Sequence, residues 1–278
     1  MINISIVLYQ TDKSQLKALC QVLLQARQLH KIYLVDNSPF ADPDPLCDPF
    51  IEYIWNRGRN LGYGAAHNIA IRKSIYDEVD YHLVMNADIE LTVEALDCLQ
   101  IFMNNNSKVG LVQPKVLYPD GSIQYVAKLL PTPFDVFARR FLPAAWIKRS
   151  NERYELRRSR HSGPVNNDYH LTLNVPYLSG SFMYLRTKAV LEAQLFDERF
   201  FMYPEDIDLT RRIHREYLTV FLPDITIIHH HEKGSYKSLR LLWIHITNMC
   251  RYFNKWGWLC DRERRLVNRL TEQQLDQL

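Results

Sequence analysis

Hydrophobic and polar positions follow two alternating periods over the first part of the chain. Short apolar runs rich in β-branched residues predict buried strands. They cover residues 4–9, 31–36, 51–55, 81–85 and 109–112. Apolar residues at helical spacing predict the intervening helices. These cover residues 14–29, 64–75 and 92–104. Strands that alternate with helices in this way favour a parallel α/β sheet.

The pattern changes from about residue 131 to residue 168, where many arginines and lysines stand among aromatic residues. This composition predicts a basic insertion that is mobile in part, with regular structure resuming near Leu171. Beyond it we expect strands over 181–185, 220–222 and 225–228, and helices over 187–193, 204–216 and 238–270. The predicted organisation is one α/β domain over residues 1–236 and a C-terminal helical segment over 237–278.

The composition narrows the class of protein. With 278 residues, of which 47% are hydrophobic, the chain is long enough for a sizeable core. A formal net charge of +3 is too small to indicate a nucleic-acid partner by itself. Five scattered cysteines without CxxC spacing argue against a disulfide framework or a zinc ribbon and favour a reducing compartment. Neither a basic leader nor an apolar run of the ~20 residues needed to span a bilayer is visible, so we expect a cytoplasmic protein, which can also rest on the inner face of the plasma membrane.

Two aspartates follow predicted strands, Asp36 after the second and Asp88 after the fourth. Ligands of parallel sheets bind beyond the carboxyl ends of the strands, so both side chains are expected at a nucleotide site. In the segment Asn86-Ala87-Asp88, a carboxylate at this edge can bind a divalent cation that also holds a diphosphate. The alternative is an ordinary aspartate that caps the next helix, and without other motifs that alternative is preferred.

Three carboxylates crowd the start of a predicted helix in the segment Pro204-Glu205-Asp206-Ile207-Asp208. A helix N-terminus favours negative charge, so capping explains one or two of them. One of them can instead act as a general base toward an acceptor hydroxyl. From the residues alone, the two explanations carry about equal weight.

Two further segments are weaker signals. The segment His229-His230-His231 ends a strand. Alternate residues of a strand face the same side, so His229 and His231 can both face a site. There they can bind a metal or donate a hydrogen bond to a phosphate oxygen. The alternative is a solvated run at a strand end. The glycine-rich segment over residues 56–64 opens a helix and is similar to a phosphate cradle, although it lacks the dinucleotide fingerprint and the P-loop pattern.

Together and in this order, these segments resemble family-2 glycosyltransferases of the GT-A fold, most closely the bacterial rhamnosyltransferase-like branch. The resemblance covers nearly the whole chain and rests on Val35-Asp36-Asn37-Ser38, Asn60-Leu61-Gly62-Tyr63-Gly64 with Asn68, Asn86-Ala87-Asp88, Ser179-Gly180-Ser181-Phe182-Met183, Phe196-Asp197-Glu198 through Asp208, and Ile228-His229 with Gly234-Ser235. It implies an α/β fold with a mixed, mainly parallel sheet and helices on both faces, followed here by C-terminal amphipathic helices.

The resemblance also implies roles on the donor side of the site. The expected donor-binding residues are Tyr9, Asp36, Asn60, Gly62, Asn68 and Asn86. Asp36 would contact the nucleobase or ribose. Asp88 and His229 would hold a divalent metal, Mg²⁺ or Mn²⁺, together with the diphosphate. Many relatives have a first aspartate where this chain has Asn86, which leaves Asp88 as the one strong carboxylate of that motif.

On the acceptor side, the resemblance implies that Asp206 is the catalytic base. Gly180, Ser181 and Glu205 would help to place the acceptor. The implied chemistry is a single in-line displacement with inversion at the anomeric carbon. The metal and nearby donors would stabilise the leaving diphosphate.

The substrates stay open at this point. The preferred reaction transfers L-rhamnose from dTDP-rhamnose to a glycan or lipid-linked glycan in cell-surface polysaccharide biosynthesis. A UDP-hexose or UDP-N-acetylhexosamine donor is the main alternative. More remote alternatives are an inactive nucleotide-sugar-binding scaffold and a nucleic-acid binder that uses the basic insertion. Against the last of these, the acidic residues would repel phosphate, so no nucleic-acid partner is expected.

The tail mixes Trp, Tyr and basic residues at helical spacing, as do helices that lie in a membrane interface. The alternative is a helix that packs its apolar side on the domain. Packing is favoured for residues 239–249, and membrane contact for residues 251–265. In the second case the acceptor would be lipid-linked.

Overall fold

The computed structural model describes residues 1–141, 143–159, 163–164, 171–230 and 239–277. The strands are β1 (Ile2–Leu8), β2 (Leu29–Asp36), β3 (Ile51–Trp55), β4 (Tyr81–Met85), β5 (Ile89–Glu90), β6 (Val109–Leu117), β7 (Ile123–Gln124), β8 (Ala127–Lys128), β9 (Arg158–Ser159), β10 (Gly163–Pro164), β11 (Leu173–Asn174), β12 (Tyr177–Leu178), β13 (Phe182–Arg186) and β14 (Leu218–His229). The helices are α1 (Lys13–Leu23), α2 (Tyr63–Tyr76), α3 (Val93–Asn105), α4 (Pro133–Phe141), α5 (Ala144–Tyr154), α6 (Thr187–Glu192), α7 (Glu205–Ile213), α8 (Leu239–Trp256) and α9 (Arg262–Gln277).

One central sheet organises the protein, with the strand order β11-β14-β6-β13-β4-β1-β2-β3. Strands β4, β1, β2 and β3 run parallel to one another. Strand β13 is antiparallel to both of its neighbours, β4 and β6, whereas β14 is parallel to β6. The predicted mixed, mainly parallel α/β sheet is therefore confirmed. The short strand β5 pairs with the end of β14 and sets Ile89 opposite His229, which brings the segment after β4 against the end of β14.

Burial of apolar side chains stabilises these strands and helices. The β-branched and apolar side chains of β1 and β4, among them Ile4, Ile6 and Leu83, are fully buried. Helix α1 turns Leu19 and Leu23 toward the same core. Each such side chain contributes roughly 1.5–3 kcal/mol by leaving water, so the sheet edge that carries the polar site is anchored on a rigid apolar base.

Several predicted boundaries were wrong. The single helix predicted over 238–270 is two helices, α8 and α9. Helix α1 ends at Leu23 instead of near residue 29, because the chain turns there and Leu29 already opens β2 beside β1. Helix α7 ends at Ile213. The two predicted strands over 220–228 form one strand, β14, whose pairing with β6 shifts register between Leu222 and Thr226. Pro223 lies in this interval and lacks the N–H that a regular ladder needs.

The predicted basic insertion contains regular structure, contrary to expectation, because α4 and α5 occupy much of it. Helix α5 is fixed to α9 by Arg153, whose guanidinium donates to both carboxylate oxygens of Glu272 at 2.5 and 2.9 Å. A bidentate pair of this kind fixes orientation as well as distance. Residues 160–162 and 165–170 of the predicted insertion lie outside the described residues.

The C-terminal helices pack on the α/β domain. Tyr252 and Phe253 of α8 are fully buried. Arg211 of α7, itself buried, donates to Asp261 at 2.7 and 2.8 Å and to Glu263 at 2.7 Å. Part of residues 251–265, for which membrane contact was favoured, therefore packs on the α/β domain instead. Within the described part of the chain, no helix is both long enough and apolar enough to cross a membrane.

Candidate active site

A cavity of about 1020 Å³ opens at the carboxyl ends of the parallel strands. Five of the predicted donor and metal residues line it, namely Tyr9, Asn60, Gly62, Asn86 and Asp88. Arg240, Leu241 and Ile244 of α8 close another side of the cavity. The sheet edge expected from the strand pattern is therefore a concave site.

Asp88, which lines the cavity, lies against the buried side chain of His229. The Nε2 atom of His229 lies 3.2 Å from Oδ1 of Asp88 and 3.3 Å from Nδ2 of Asn86. Gln124 fixes the histidine ring from behind, since its amide donates to the His229 carbonyl at 2.8 Å and its Oε1 lies 2.9 Å from Nδ1. Because Oε1 only accepts, Nδ1 carries the hydrogen in the neutral ring, and Nε2 presents its lone pair toward Asp88.

This arrangement suits a divalent cation. A ligating histidine commonly donates its other ring N–H to an oxygen acceptor, as His229 does to Gln124. A carboxylate oxygen and an imidazole lone pair 3.2 Å apart are two acceptors that a cation can bind together. Among the described residues, no group of three or more His, Cys, Asp or Glu side chains is arranged to hold a metal. Asp88 and His229 therefore need further oxygen ligands, which a diphosphate supplies.

The base candidate Asp206 lies at the start of α7 and is almost wholly buried. Its Oδ2 accepts from the Gly180 N–H at 2.8 Å and from the Tyr177 hydroxyl at 3.3 Å, and its Oδ1 accepts from the Ile207 N–H at 2.8 Å. Burial raises the pKa of Asp206 to about 6, although these hydrogen bonds act in the opposite direction. A carboxylate that titrates close to neutral pH is well suited to accept a proton.

Glu205 differs from its neighbour. Burial, and next the charge of Asp206, raise the pKa of Glu205 well above its ordinary value. Its Oε2 is buried without a hydrogen-bond partner among the described residues. The pKa of Glu205 is therefore raised further than that of Asp206, which makes Asp206 the member of the pair that ionises more readily.

The third carboxylate of this helix start is structural. Asp208 is fully buried, and it accepts from the Trp256 indole at 2.8 Å and pairs with Lys255 at 2.6 Å. Arg212, one turn further along α7, also donates to it at 2.8 Å. Asp208 thus fixes α8 to α7, and one of the three acidic residues has the packing role that the sequence left open.

Gly180 and Ser181 connect the two ends of the site. The Gly180 N–H holds Asp206, and a Cβ built on Gly180 would lie 3.0 Å from the Asp206 Cβ, so a larger residue would displace the base. The Ser181 carbonyl accepts from the Asn86 N–H at 3.0 Å, and the Ser181 hydroxyl is buried without a hydrogen-bond partner among the described residues. Tyr63 adds a second link, because its hydroxyl lies 2.6 Å from the Gly180 carbonyl and 3.0 Å from Oδ1 of Asn86.

The glycine-rich segment differs from the open phosphate cradle that the sequence suggested, because several of its N–H groups are bonded within the protein. The N–H of Leu61 donates to Asn37, that of Gly62 to Asn60, and that of Tyr63 to the Phe201 carbonyl. Gly62 has φ +88° and a Cβ there would lie 2.3 Å from the Phe201 carbonyl oxygen, so only glycine fits. The segment shapes the cavity wall by bringing the chain close to Phe201.

Two predicted donor residues lie apart from the cavity lining. Asp36 is buried and accepts from the Tyr53 hydroxyl at 2.6 Å and the Ser38 N–H at 2.8 Å, beside a neighbouring pocket of about 300 Å³. Asn68 is buried, and its amide bonds both backbone groups of Phe196 and the carboxylate of Glu198. Asn68 therefore secures the segment that precedes α7 instead of facing the cavity.

His229 and His230 lie in different environments. His230 lines the cavity margin and its Nε2 lies 3.1 Å from Glu90, on the exposed side. His231, Gly234 and Ser235, which the sequence also indicated, lie outside the described residues.

Sequence reasoning missed three residues that shape the site: Asn37, Tyr63 and Gln124. Asn37 is buried and joins its strand to the glycine-rich segment, donating to the Gly62 carbonyl at 3.1 Å and accepting from Asn56 at 2.7 Å. Asn37 and Tyr63 stand within recognised motifs, which is a signal that could have drawn attention to them. Nothing in the local sequence marks Gln124.

The chain is similar to known glycosyltransferases. It is 29% identical to N-acetylglucosaminyl-diphospho-decaprenol L-rhamnosyltransferase of Mycobacterium tuberculosis over 182 residues, which cover 62% of this chain and 57% of that protein. It is 27% identical to the rhamnosyltransferase WbbL of Escherichia coli over 274 residues, which cover 95% of this chain and 94% of WbbL. No family model matches the chain.

Among solved structures, GalNAc-T7 with UDP, GalNAc and Mn²⁺ matches with a TM-score of 0.57 at 13% identity, over 84% of this chain and 44% of that one. The chain thus spans about half the length of the mycobacterial relative and of this structural neighbour. The fold is that of GT-A glycosyltransferases, and the sequence resembles rhamnosyltransferases. The expected GT-A fold and the expected resemblance to rhamnosyltransferases are both confirmed. These findings are consistent with a family-2 glycosyltransferase.

Proposed function

We propose that this protein is an inverting hexosyltransferase that uses a nucleotide-diphosphate sugar, Mg²⁺ or Mn²⁺, and an acceptor hydroxyl. The observation that carries the proposal is that hydrogen bonds through Tyr63 and Gly180 connect two chemically distinct groups of residues. Asp88 and His229 present cation ligands at one end, and Asp206 presents a buried base at the other. Similarity to glycosyltransferases supports the reaction class.

On the donor side, the bound nucleotide sugar would be lined by Tyr9, Asn60, Gly62 and Asn86. Asp36 lines the neighbouring pocket. Asp88 and His229 would hold the metal, which neutralises the charge of the diphosphate when it is bound. The side-chain amide of Asn86 lies next to this proposed metal site, with its Nδ2 3.3 Å from Nε2 of His229. Of the predicted donor residues, Asn68 has a supporting role through Phe196 and Glu198.

On the acceptor side, the hydroxyl oxygen attacks the anomeric carbon while the bond to the diphosphate oxygen breaks. The hydroxyl proton passes to the carboxylate of Asp206. Glu205 would help to place the acceptor beside the base, and the Gly180 N–H holds the base in place. Attack opposite the leaving group inverts the anomeric configuration, and the nucleoside diphosphate leaves without protonation by an acid.

For the donor, we favour dTDP-L-rhamnose, because two relatives carry rhamnosyltransferase names. For the acceptor, we favour a glycan or lipid-linked glycan of cell-surface polysaccharide biosynthesis, because the name of the mycobacterial relative specifies a diphospho-decaprenol. Such an acceptor places the enzyme in the cytoplasm at the inner face of the plasma membrane.

A panel of donors tests the proposal. Binding of dTDP-rhamnose, UDP-hexoses and UDP-N-acetylhexosamines should be compared by thermal shift with Mg²⁺, with Mn²⁺ and with chelator, because a bound ligand raises the melting temperature. Stabilisation by dTDP-rhamnose that requires metal, followed by transfer to a hydroxyl acceptor, is the expected result. Preference for a UDP sugar would replace the donor assignment, and no metal-dependent binding of any nucleotide sugar would refute the function.

A further inference from the structure

A second concave surface lies away from the donor cavity. This groove, between α4, the segment after β8, and α9, has a volume of about 690 Å³. Its apolar lining consists of Leu129, Leu130, Phe134, Tyr154, Trp258 and Leu259. Phe134 is 57% exposed and Leu259 81% exposed, which is unusual for large apolar side chains that share one surface.

Arginines stand beside this apolar surface. Arg265 and Arg269 line the groove one helical turn apart on α9, and both are exposed. The next residues of the same helix, Leu266 and Leu270, are exposed too. Exposed apolar side chains that alternate with arginines are characteristic of helices that lie at a lipid–water interface.

The other charged groups in the groove are engaged within the protein. Arg264 donates to the carbonyls of Pro131 and Trp258, and the Glu272 carboxylate is held by Arg153. The carboxylate of Asp135 accepts from Thr132 and Ser150. The charge that this groove offers outward is therefore positive, and an anionic surface is the complementary partner.

A chain of side-chain contacts runs from the groove toward the base. Lys128 lies 6.0 Å from the ring centroid of Tyr154, which lines the groove, and 5.4 Å from that of Tyr177. The hydroxyl of Tyr177 in turn lies 3.3 Å from Asp206. Tyr154, Lys128 and Tyr177 thus link the lining of the groove to the base.

We propose that the groove between α4 and α9, with Phe134, Leu259, Arg265 and Arg269 at its rim, docks on a bilayer that carries anionic phospholipid. The contact is made by the groove as a whole, and so by α4 together with α9, instead of by the stretch 251–265 alone. The proposal builds on the proposed lipid-linked acceptor. Membrane binding is nevertheless measured without donor or acceptor, so either proposal can fail while the other stands.

Vesicle flotation of the full chain tests this docking surface. We expect the protein to float at low salt with phosphatidylcholine vesicles that contain phosphatidylglycerol, and to remain unbound with phosphatidylcholine alone. The double variant R265Q/R269Q should bind the anionic vesicles roughly tenfold to thirtyfold more weakly, because each basic residue near an anionic surface adds to binding. The double variant F134S/L259S should also lose binding, because both exposed side chains would enter the interface.

Matched controls are available on other faces. The variant R27Q/K188Q removes the same net charge from exposed positions, and Tyr76→Ser removes an aromatic side chain that is 87% exposed. Both controls should float like the unmodified protein. Failure of the unmodified protein to float, or equal loss of binding in the control and groove variants, would overturn the proposal. Unchanged thermal unfolding of each variant establishes that a loss of flotation is a loss of membrane binding.

Discussion

The two ends of the site handle charge in opposite ways. At the metal end, the Asp88 side chain is 31% exposed and faces a histidine lone pair. At the base end, Asp206 is 8% exposed and accepts hydrogen bonds from Gly180, Tyr177 and Ile207. In the proposed function, a cation and a diphosphate would complete the first end, whereas the second end is assembled by the protein itself. We therefore expect substitutions at the metal end to change donor binding and substitutions at the base end to change turnover.

Loss of the base should give the largest effect. Asp206→Asn removes the proton acceptor but keeps the shape of the side chain, so turnover should fall by about 10² to 10⁴ while donor affinity stays nearly constant. Rates of transfer and donor binding by calorimetry measure the two quantities. The control is Asp224→Asn, an exposed carboxylate of β14. Near-normal turnover of the Asp206 variant would remove Asp206 from the role of base.

Loss of the metal carboxylate should act on the other quantity. Asp88→Asn should weaken metal-dependent donor binding by about tenfold to a hundredfold, because a neutral amide is a poorer ligand for a hard cation. Titration of donor with Mn²⁺ and with chelator measures the effect. Glu90→Gln is the matched control, since Glu90 is exposed two residues away and contacts His230. Equal donor affinities with and without metal in the unmodified protein would disprove the role of Asp88.

The pH dependence should separate the two ends as well. Burial raises the pKa of Asp206 to about 6, and only the ionised form accepts a proton. The ionised fraction falls as the pH drops through this value, so kcat/KM should decrease about tenfold per pH unit below it and level off above it. Steady-state rates across the acid range provide the measurement. Rates that stay level through this range would contradict the assignment of the ionised carboxylate.

The Tyr63 hydroxyl contacts both ends of the site. Its removal should therefore give the smallest of these effects, but should change both donor affinity and turnover. Tyr63→Phe removes contacts to Asn86 and to the Gly180 carbonyl, and should reduce kcat/KM by about threefold to tenfold, as expected for one lost hydrogen bond. Both donor affinity and turnover should change. Tyr184→Phe, which removes a buried hydroxyl without a hydrogen-bond partner among the described residues, is the control. A change confined to either quantity would show that Tyr63 does not join the two ends.

Local sequence was enough to predict elements whose pattern is regular. The strands over 51–55 and 81–85 were predicted with their observed bounds, because apolar runs between turn residues determine them. Strand direction predicted Asp36 and Asp88 at one edge of the sheet, where Asp88 lines the large cavity and Asp36 lines a neighbouring pocket. The pattern failed where a proline interrupts β14, and in the basic stretch, where α5 is helical and tied to α9.

Hydrogen-bond partners were beyond the reach of the sequence. Gln124 and His229 are 105 residues apart, and Tyr63 and Gly180 are 117 residues apart, so only the folded sheet brings them together. The segment over residues 56–64 was misinterpreted for the same reason. Its glycines suggest open N–H groups, but Asn37 and Phe201, which occupy them, are supplied by other parts of the chain.

The buried Arg211 has a consequence for the order in which the protein is completed. It lies on α7, the helix that also carries Asp206, and its charge is balanced by Asp261 and Glu263, about 50 residues later in the chain. During synthesis, α7 is therefore made well before the carboxylates that compensate it. A buried cation without its partners is strongly destabilising, so we expect α7 to reach its final position only after residue 263 has joined the fold. The parallel strands can form early, but the proton-accepting end of the site matures last.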